Sequence, residues 1–272
     1  MVETIGKPVF HRYSGDLYGS WLMDAYEYTE EEQMTKIWAT MSDRNRTLFE
    51  FSNKTMYREN TPTKNYSLPL PFTVSENSLF AIFQWYKTLQ HYLQGNDHVV
   101  YNGSFFYYNH QTESIVRYQL NTKSPQKVKI HRNRVVVNQG GELLTQLYRP
   151  QQEGSYFDFS TDENGLWGVF GLALDNNTVV MKFDSDTLEI QYMWNISLKH
   201  HQISDSFIVC GVMYAVDHVD ERNTKIRFAL DLYKNKLLDL ELPFTNPFSY
   251  TTMLGYNSRL QVHNKVYNLW HL

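Results

Sequence analysis

Hydrophobic and polar positions along this chain fall into short blocks, not long periodic stretches. The segments Val99-Val100-Tyr101, Phe105-Phe106-Tyr107-Tyr108, Ile115-Val116-Arg117-Tyr118, Val135-Val136-Val137, Val179-Val180-Met181-Lys182-Phe183, Phe207-Ile208-Val209-Cys210 and Ile226-Arg227-Phe228-Ala229 are rich in β-branched and aromatic residues, and each is bounded by Gly, Asn, Asp or Ser. Such runs suit a pleated surface that packs wide side chains, and they predict strands. Asn102-Gly103 separates two of them as a type I′ hairpin requires, because both residues tolerate positive φ. Asn164-Gly165 and Asp175-Asn176-Asn177 repeat that chemistry. Helical periodicity is nearly absent. The one helical candidate is 30–40, in which Lys36-Ile37-Trp38-Ala39-Thr40 reads equally well as a strand.

Many short strands spaced by about 8 to 12 residues indicate a sandwich, a barrel or a propeller. Three stretches, 99–120, 165–190 and 207–232, each hold a three-strand meander. A unit of roughly 40 to 50 residues gives five or six blades over the chain, and spacing does not choose between them. The Trp-Asp dipeptide of common propellers is missing from the repeat.

Composition supports an all-β globular reading. Of 272 residues, 42% are hydrophobic and 20% charged, enough to bury a sizeable core, and the 15% aromatic content is led by twenty tyrosines. One domain over 1–272 is expected. The net charge of −4, with Lys and Arg scattered, offers no basic stripe, so nucleic acid is not an expected partner. No apolar stretch approaches the roughly 18 to 20 residues of a membrane span, so direct membrane insertion is not expected, and the start lacks the apolar core of a signal peptide. If the chain is secreted, its targeting signal lies outside this segment, which would then be excised from a longer extracellular protein.

Cys210 stands as a lone cysteine, which reads as a cytosolic thiol or as half of a broken disulfide. The glycosylation sequons favour the second. Asn-x-Ser/Thr occurs at Asn45, Asn53, Asn65, Asn102, Asn176 and Asn195, about twice the chance expectation. Catalytic chemistry is thin. Asp162-Glu163 and Asp184/Asp186 are the carboxylate pairs available to a glycosidase, but they sit in polar turn contexts. His200-His201 would point to opposite faces if extended, which suits no single metal, and no nucleophile has a base beside it. Trp85, Trp167 and Trp194 are candidate sugar platforms or, more commonly for such strand positions, blade fillers.

Several blocks together carry a family resemblance. His98 to Tyr108 followed by Ile115-Val116-Arg117-Tyr118-Gln119-Leu120, Gly19-Ser20-Trp21-Leu22-Met23-Asp24, Thr47-Leu48-Phe49-Glu50-Phe51 and Asp158-Phe159-Ser160-Thr161-Asp162-Glu163-Asn164-Gly165-Leu166-Trp167 resemble the blocks of olfactomedin domains. Phe207 to Tyr214 and Pro243-Phe244 to Asn257 follow in the family's order, and the gliomedin-like, collagen-linked branch is the nearest in character. The resemblance implies an all-β fold, a five-bladed propeller of four-stranded antiparallel blades. It further implies a secreted or membrane-anchored glycoprotein that binds cell-surface adhesion or extracellular-matrix proteins without catalysis, and that oligomerises through N-terminal regions. The alternative is a carbohydrate-binding or glycoside-active propeller. The segment 60–71, with its prolines and sequon, is a candidate binding rim.

The resemblance also implies sites. Cys210 aligns with the cysteine that the family joins to a partner near the domain start, and that partner would lie outside this chain. Many olfactomedin propellers hold Ca²⁺ on the axis with hard oxygen ligands. Carried over, the ligands are the Asp158 and Asp205 side chains and the Ser206 and Leu254 carbonyls. Asp205 stands where the family has an asparagine, and Gly255 where it has a second aspartate, so the number of carboxylates is kept while their placement changes. The tail 258–272 is shorter than the family's closing hairpin, which leaves completion of the last blade open.

Overall fold

The computed structural model describes residues 2, 19–26, 28, 31–41, 46–69, 98–109, 112–129, 144–148, 155–246 and 253–260. The first sheet comprises β1 (Trp21–Leu22), β2 (Ile37–Ala39), β3 (Thr47–Phe51) and β4 (Lys64–Ser67), and the second β5 (Val99–Tyr101), β6 (Ser104–Asn109), β7 (Ser114–Gln119) and β8 (Ser124–Lys129). In the third, β10 (Phe157–Asp162), β11 (Gly165–Leu172), β12 (Asn177–Phe183) and β13 (Ile190–Lys199) run in order, and the short β9 (Leu144–Thr145) adds to β11. The fourth holds β14 (Asp205–Val209), β15 (Val212–Val216) and β16 (Asn223–Asp231). Its outer strand is split into β17 (Lys236–Leu238) and β18 (Leu242–Thr245), which pair with opposite halves of β16. Every pairing is antiparallel.

The sheets are the blades of a propeller. Each packs both faces, and side-chain alternation sends successive residues to different neighbours. On β6, Phe105 and Tyr107 enter a core shared with Leu22, Trp38 and Tyr66 of the first blade. Phe106 and Tyr108 enter one shared with Phe157, Phe159 and Phe170 of the third. A third core joins Trp167, Val169 and Val180 to Ile208, Met213 and Ala215 of the fourth blade. This explains why β6 reads as an unbroken aromatic run: a strand buried on both faces has no polar side to alternate with.

The number of blades corrects the expectation. The described residues form four sheets, not five. The five came from the family resemblance, and spacing, which assumed uniform meanders, left five or six, whereas the four sheets lie within 21–67, 99–129, 144–199 and 205–245, at unequal intervals along the chain. The Val135-Val136-Val137 run lies outside the described residues. Of the 30–40 candidate, Glu31–Thr35 is a helix and Ile37–Ala39 is β2, so each alternative takes half.

Two carboxylates lock neighbouring blades. Asp24, just past β1, accepts from Tyr26 N (2.9 Å) and Tyr28 Oη (2.6 Å) in its own blade, and from Asn102 N (3.0 Å) and Gly103 N (2.9 Å) in the β5–β6 hairpin of the next. Asp162, the last residue of β10, repeats the arrangement. It accepts from Asn164 N (2.7 Å) and Trp167 Nε1 (2.7 Å), and across the seam from Gly211 N (2.7 Å) in the β14–β15 hairpin. The receiving turns share a conformation, with φ of 48° and 65° at Asn102-Gly103 and 49° and 74° at Cys210-Gly211. Consecutive left-handed residues aim adjacent N–H groups the same way and make a small anion nest. At Gly211 the glycine is required twice, since a Cβ there would also meet the Tyr233 ring at 2.5 Å. The expected Asn164-Gly165 turn is offset by one residue: Asp162 pairs with Gly165, so Glu163-Asn164 forms the loop.

The described segment 253–260 reaches back to the region of the first blade. Asn257 Nδ2 donates to the Met23 carbonyl (3.0 Å), and Arg259 Nη2 donates to the Met34 carbonyl (2.7 Å).

Candidate functional site

Near the axis, the innermost strands β10 and β14 bring polar side chains together where a core would normally be apolar. Asp158 pairs with Val169 and Asp205 with Val216, so the two aspartates hold the same register in adjacent blades, each four residues before the strand's end. Both are buried, at 2% and 0% exposure. Tyr148, in a bend after β9, donates its hydroxyl to Asp158 Oδ2 and lies 2.7 Å from Ser206 Oγ. Ser206 N donates to Asp205 Oδ1 (2.7 Å). Leu254 is buried in a core that also contains Phe207, the next residue after Ser206. Asp158 and the Ser206 side chain therefore meet through the hydroxyl of Tyr148, a residue the sequence reading missed, while Asp205 is tied to them through the backbone N of its neighbour Ser206. Among the described residues no three His, Cys, Asp or Glu side chains converge as a metal cluster. The Asp158, Asp205, Ser206 and Tyr148 side chains offer carboxylate and hydroxyl oxygens, donors that match a hard cation and no soft one. At Gly255 an added Cβ would meet nothing within 4 Å, so there is room at that position for a larger side chain.

Cys210 is exposed and occupies the first turn position after β14. Its Sγ donates to Glu163 Oε2 (3.2 Å), which also accepts from Cys210 N (3.0 Å), while Tyr256 Oη donates to the other carboxylate oxygen. Burial and then the Glu163 hydrogen bond push the thiol up to about 11. For Glu163, burial alone would raise the carboxyl, but the Tyr256 and Cys210 donors outweigh it and hold the group below its ordinary value. Val2 N donates to Tyr214 Oη (3.0 Å) on β15, so Val2 lies against the blade that carries Cys210.

The carboxylate pairs have structural duties. Asp162 is a blade latch, and Glu163 holds the Cys210 turn. Asp184 Oδ1 accepts from Asp186 N (3.0 Å) and Thr187 N (2.9 Å), which cap the turn and hold its carboxyl low. Asp186 pairs with Arg117 across the seam between blades (2.8 Å). His200 and His201 lie in a 3-10 turn, with ring centroids 5.4 Å apart. His200 is buried against Gly171, where a Cβ would meet the ring at 2.7 Å.

The outer seam between the third and fourth blades carries an aromatic surface. Tyr192 and Trp194 of β13 stack at 5.7 Å and 28°, and Tyr233 from the β16–β17 turn meets them edge-on at 6.1 and 5.9 Å. Tyr192 is 53% and Tyr233 49% exposed. Trp167, fully buried beneath, is a blade filler, and Trp85 lies outside the described residues. Of the sequons, Asn53, Asn65, Asn176 and Asn195 are exposed, Asn102 is half-buried in its turn, and Asn45 lies outside the described residues. Of the candidate rim 60–71, the part up to Asn65 is exposed, but Tyr66 turns inward to Glu50, and 70–71 lie outside the described residues.

The Olfactomedin-like domain family matches residues 1–269. The chain belongs to this family. Among curated proteins, this olfactomedin-like domain is similar to myocilin of Felis catus, 26% identical over 264 residues, and to myocilin of Homo sapiens, 25% identical over 264 residues. Those alignments cover 93% of this chain but 47% and 46% of the relatives, so the domain spans about half their length. Among solved structures, the Myceliophteria_thermophila Cps50 (Swd1) beta-propeller domain overlays with a TM-score of 0.47 at 10% identity, covering 82% of this chain and 61% of that one. A likeness at that level decides nothing more about the olfactomedin-like chain. No helix among its described residues is long and apolar enough to cross a membrane.

Proposed function

We propose that this olfactomedin-like domain is an extracellular, non-enzymatic recognition module that binds cell-surface adhesion or matrix proteins, as a secreted or membrane-anchored glycoprotein. The observation that carries the reading is the exposed Tyr192–Trp194–Tyr233 surface on a scaffold whose blades are locked by buried carboxylates. Large half-exposed aromatics held rigid by their neighbours lose little freedom on binding and are typical anchors of protein interfaces. The carboxylates that would have to act in catalysis are instead occupied by turns and seams. Avidity would come from oligomerisation through N-terminal regions, which multiplies weak single contacts. The test is binding of the domain, clustered on a multivalent carrier, to a panel of adhesion ectodomains, with Tyr192→Ser/Tyr233→Ser as the control. Saturable binding that the double variant abolishes supports the reading. Retention by glycan arrays and by no ectodomain supports the second reading, a carbohydrate-binding surface, which the near-parallel Tyr192–Trp194 stack favours.

Two site assignments accompany this reading. Cys210 pairs with a cysteine preceding this segment, supported by the approach of Val2 to the Cys210 blade. The axial cluster holds Ca²⁺ through the Asp158 and Asp205 carboxylates with the Ser206 and Leu254 carbonyls, a cation that would offset two buried negative groups and brace the blades that carry them. A thermal melt with Ca²⁺ and with chelator tests it: saturation at a hundred times Kd adds about 2.7 kcal/mol. An Asp158→Ala variant that keeps the same difference would refute the assignment.

A further inference from the structure

The Tyr148 hydroxyl occupies a lone pair of Asp158 that a cation would need. It donates to Asp158 Oδ2, and with its single proton so committed it accepts from Ser206 Oγ at 2.7 Å. Its placement is not incidental. Tyr148 is 2% exposed and adopts φ 67°, a left-handed conformation that bulky residues rarely take. The preceding residue is pinned by Leu147 N donating to the Ser155 carbonyl (2.7 Å), two residues before β10. A strained backbone that is over-determined by its surroundings, and that delivers one hydroxyl to the axis, points to a role for that hydroxyl.

We propose that Tyr148 is a plug that competes with the axial cation for Asp158. When the cation is scarce, the hydroxyl satisfies the carboxylate and ties β10 to β14 through Ser206. When the cation binds, Asp158 exchanges that neutral donor for a positive charge, and the Tyr148–Ser206 pair is released. A hydroxyl offers hydrogen bonding without charge, so the plug stabilises the empty axis while lowering the apparent affinity of the full one. This inference rests on the cation site proposed above.

The test is calorimetric titration of Ca²⁺ into the whole domain, alongside Tyr148→Phe, Ser206→Ala and Asp158→Asn. Losing a hydrogen bond to a charged group removes a competitor that corresponds to about a tenfold change in affinity, so Tyr148→Phe should bind Ca²⁺ about tenfold more tightly than the natural chain. Asp158→Asn should abolish binding. The natural domain should also show a Ca²⁺-dependent tyrosine difference spectrum that Tyr148→Phe lacks. Binding by Tyr148→Phe alone would support the plug in its strongest form. Equal or weaker binding by Tyr148→Phe, with the natural domain still binding, would overturn the plug and leave the cation site standing. Absence of binding by every folded variant would overturn both. Should Tyr148→Phe not fold, Ser206→Ala decides: it frees the plug without touching Asp158, and an affinity no tighter than the natural chain's refutes the competition.

Discussion

Replacing Asp162 with alanine tests whether the blades are held by carboxylate latches or by apolar packing alone. The substitution removes one acceptor group and leaves two buried donors, Gly211 N and Trp167 Nε1, facing a small void, while Asn164 can turn to water. A buried donor without a partner costs about 1–3 kcal/mol, so the expected loss is about 3–5 kcal/mol once the missing packing is included. Set against a total stability of about 5–15 kcal/mol, this is a large fraction. It would lower Tm by roughly 6–20 °C at about 2–4 °C per kcal/mol for a chain of this size class. The assay is chemical denaturation followed by near-UV circular dichroism, which reports on the aromatic seams, with Asp184→Ala as the control. Asp184 serves only its own turn and should cost less than about 1 kcal/mol. Asp24→Ala should also be destabilising, because it strands the Tyr28 hydroxyl and the Asn102 and Gly103 N–H groups at the first seam. The two losses should add, since the latches share no partner. A loss below about 1 kcal/mol for Asp162→Ala, at unchanged m-value, would show that water replaces the carboxylate and that the latch is not structural.

Acid should weaken the fold through His98, whose ring nitrogens have no hydrogen-bond partner among the described residues and whose pKa burial lowers to about 4. The unfolded chain takes up that proton near pH 6.5 while the folded one resists, so stability is intact above about 6.5 and falls by up to about 3 kcal/mol as pH drops towards 4. His98→Phe should flatten that part of the stability–pH curve. In the domain without its disulfide partner, the Cys210 thiol, held near 11, should react with disulfide reagents at pH 8 more slowly than a free cysteine, and Glu163→Gln should speed it by several-fold, read as the rate of thiol labelling. Gly168→Ala places a Cβ 2.3 Å from the Phe157 ring and 2.9 Å from Phe183, and should cost about 1–3 kcal/mol by denaturant titration. In a secretory host, glycopeptide mass spectrometry should find Asn53, Asn65, Asn176 and Asn195 occupied more fully than Asn102. The turn at Asn102 is latched to Asp24, and its sequon serine, Ser104, is buried with its hydroxyl accepting from Arg117 Nε (3.1 Å).

The strands, the all-β class and the family were legible in the chain because they rest on local chemistry. A run such as Phe105 to Tyr108 has few ways to be buried other than as a strand, and Asn102-Gly103 carries its left-handed turn in its own residue types. The family blocks likewise kept their order from Gly19 to Asn257. Where local chemistry was ambiguous, the sequence left matters open. Cys210-Gly211 makes the same turn as Asn102-Gly103, yet cysteine does not advertise positive φ, and only the Asp162 and Glu163 acceptors across the seam reveal why it is held there. Asp162-Glu163 looked like an acid pair, and Asp158 and Asp205 like cation ligands. Which of these carboxylates braces a seam and which faces the axis depends on register between strands tens of residues apart. Blade number is a property of how meanders associate, not of any one of them, and both spacing along the chain and the family resemblance misjudged it. Tyr148 was invisible for the same reason: nothing near it in sequence announces that its hydroxyl meets an aspartate from β10 and a serine from β14. Local rules choose conformations, and contacts between distant strands assign the roles.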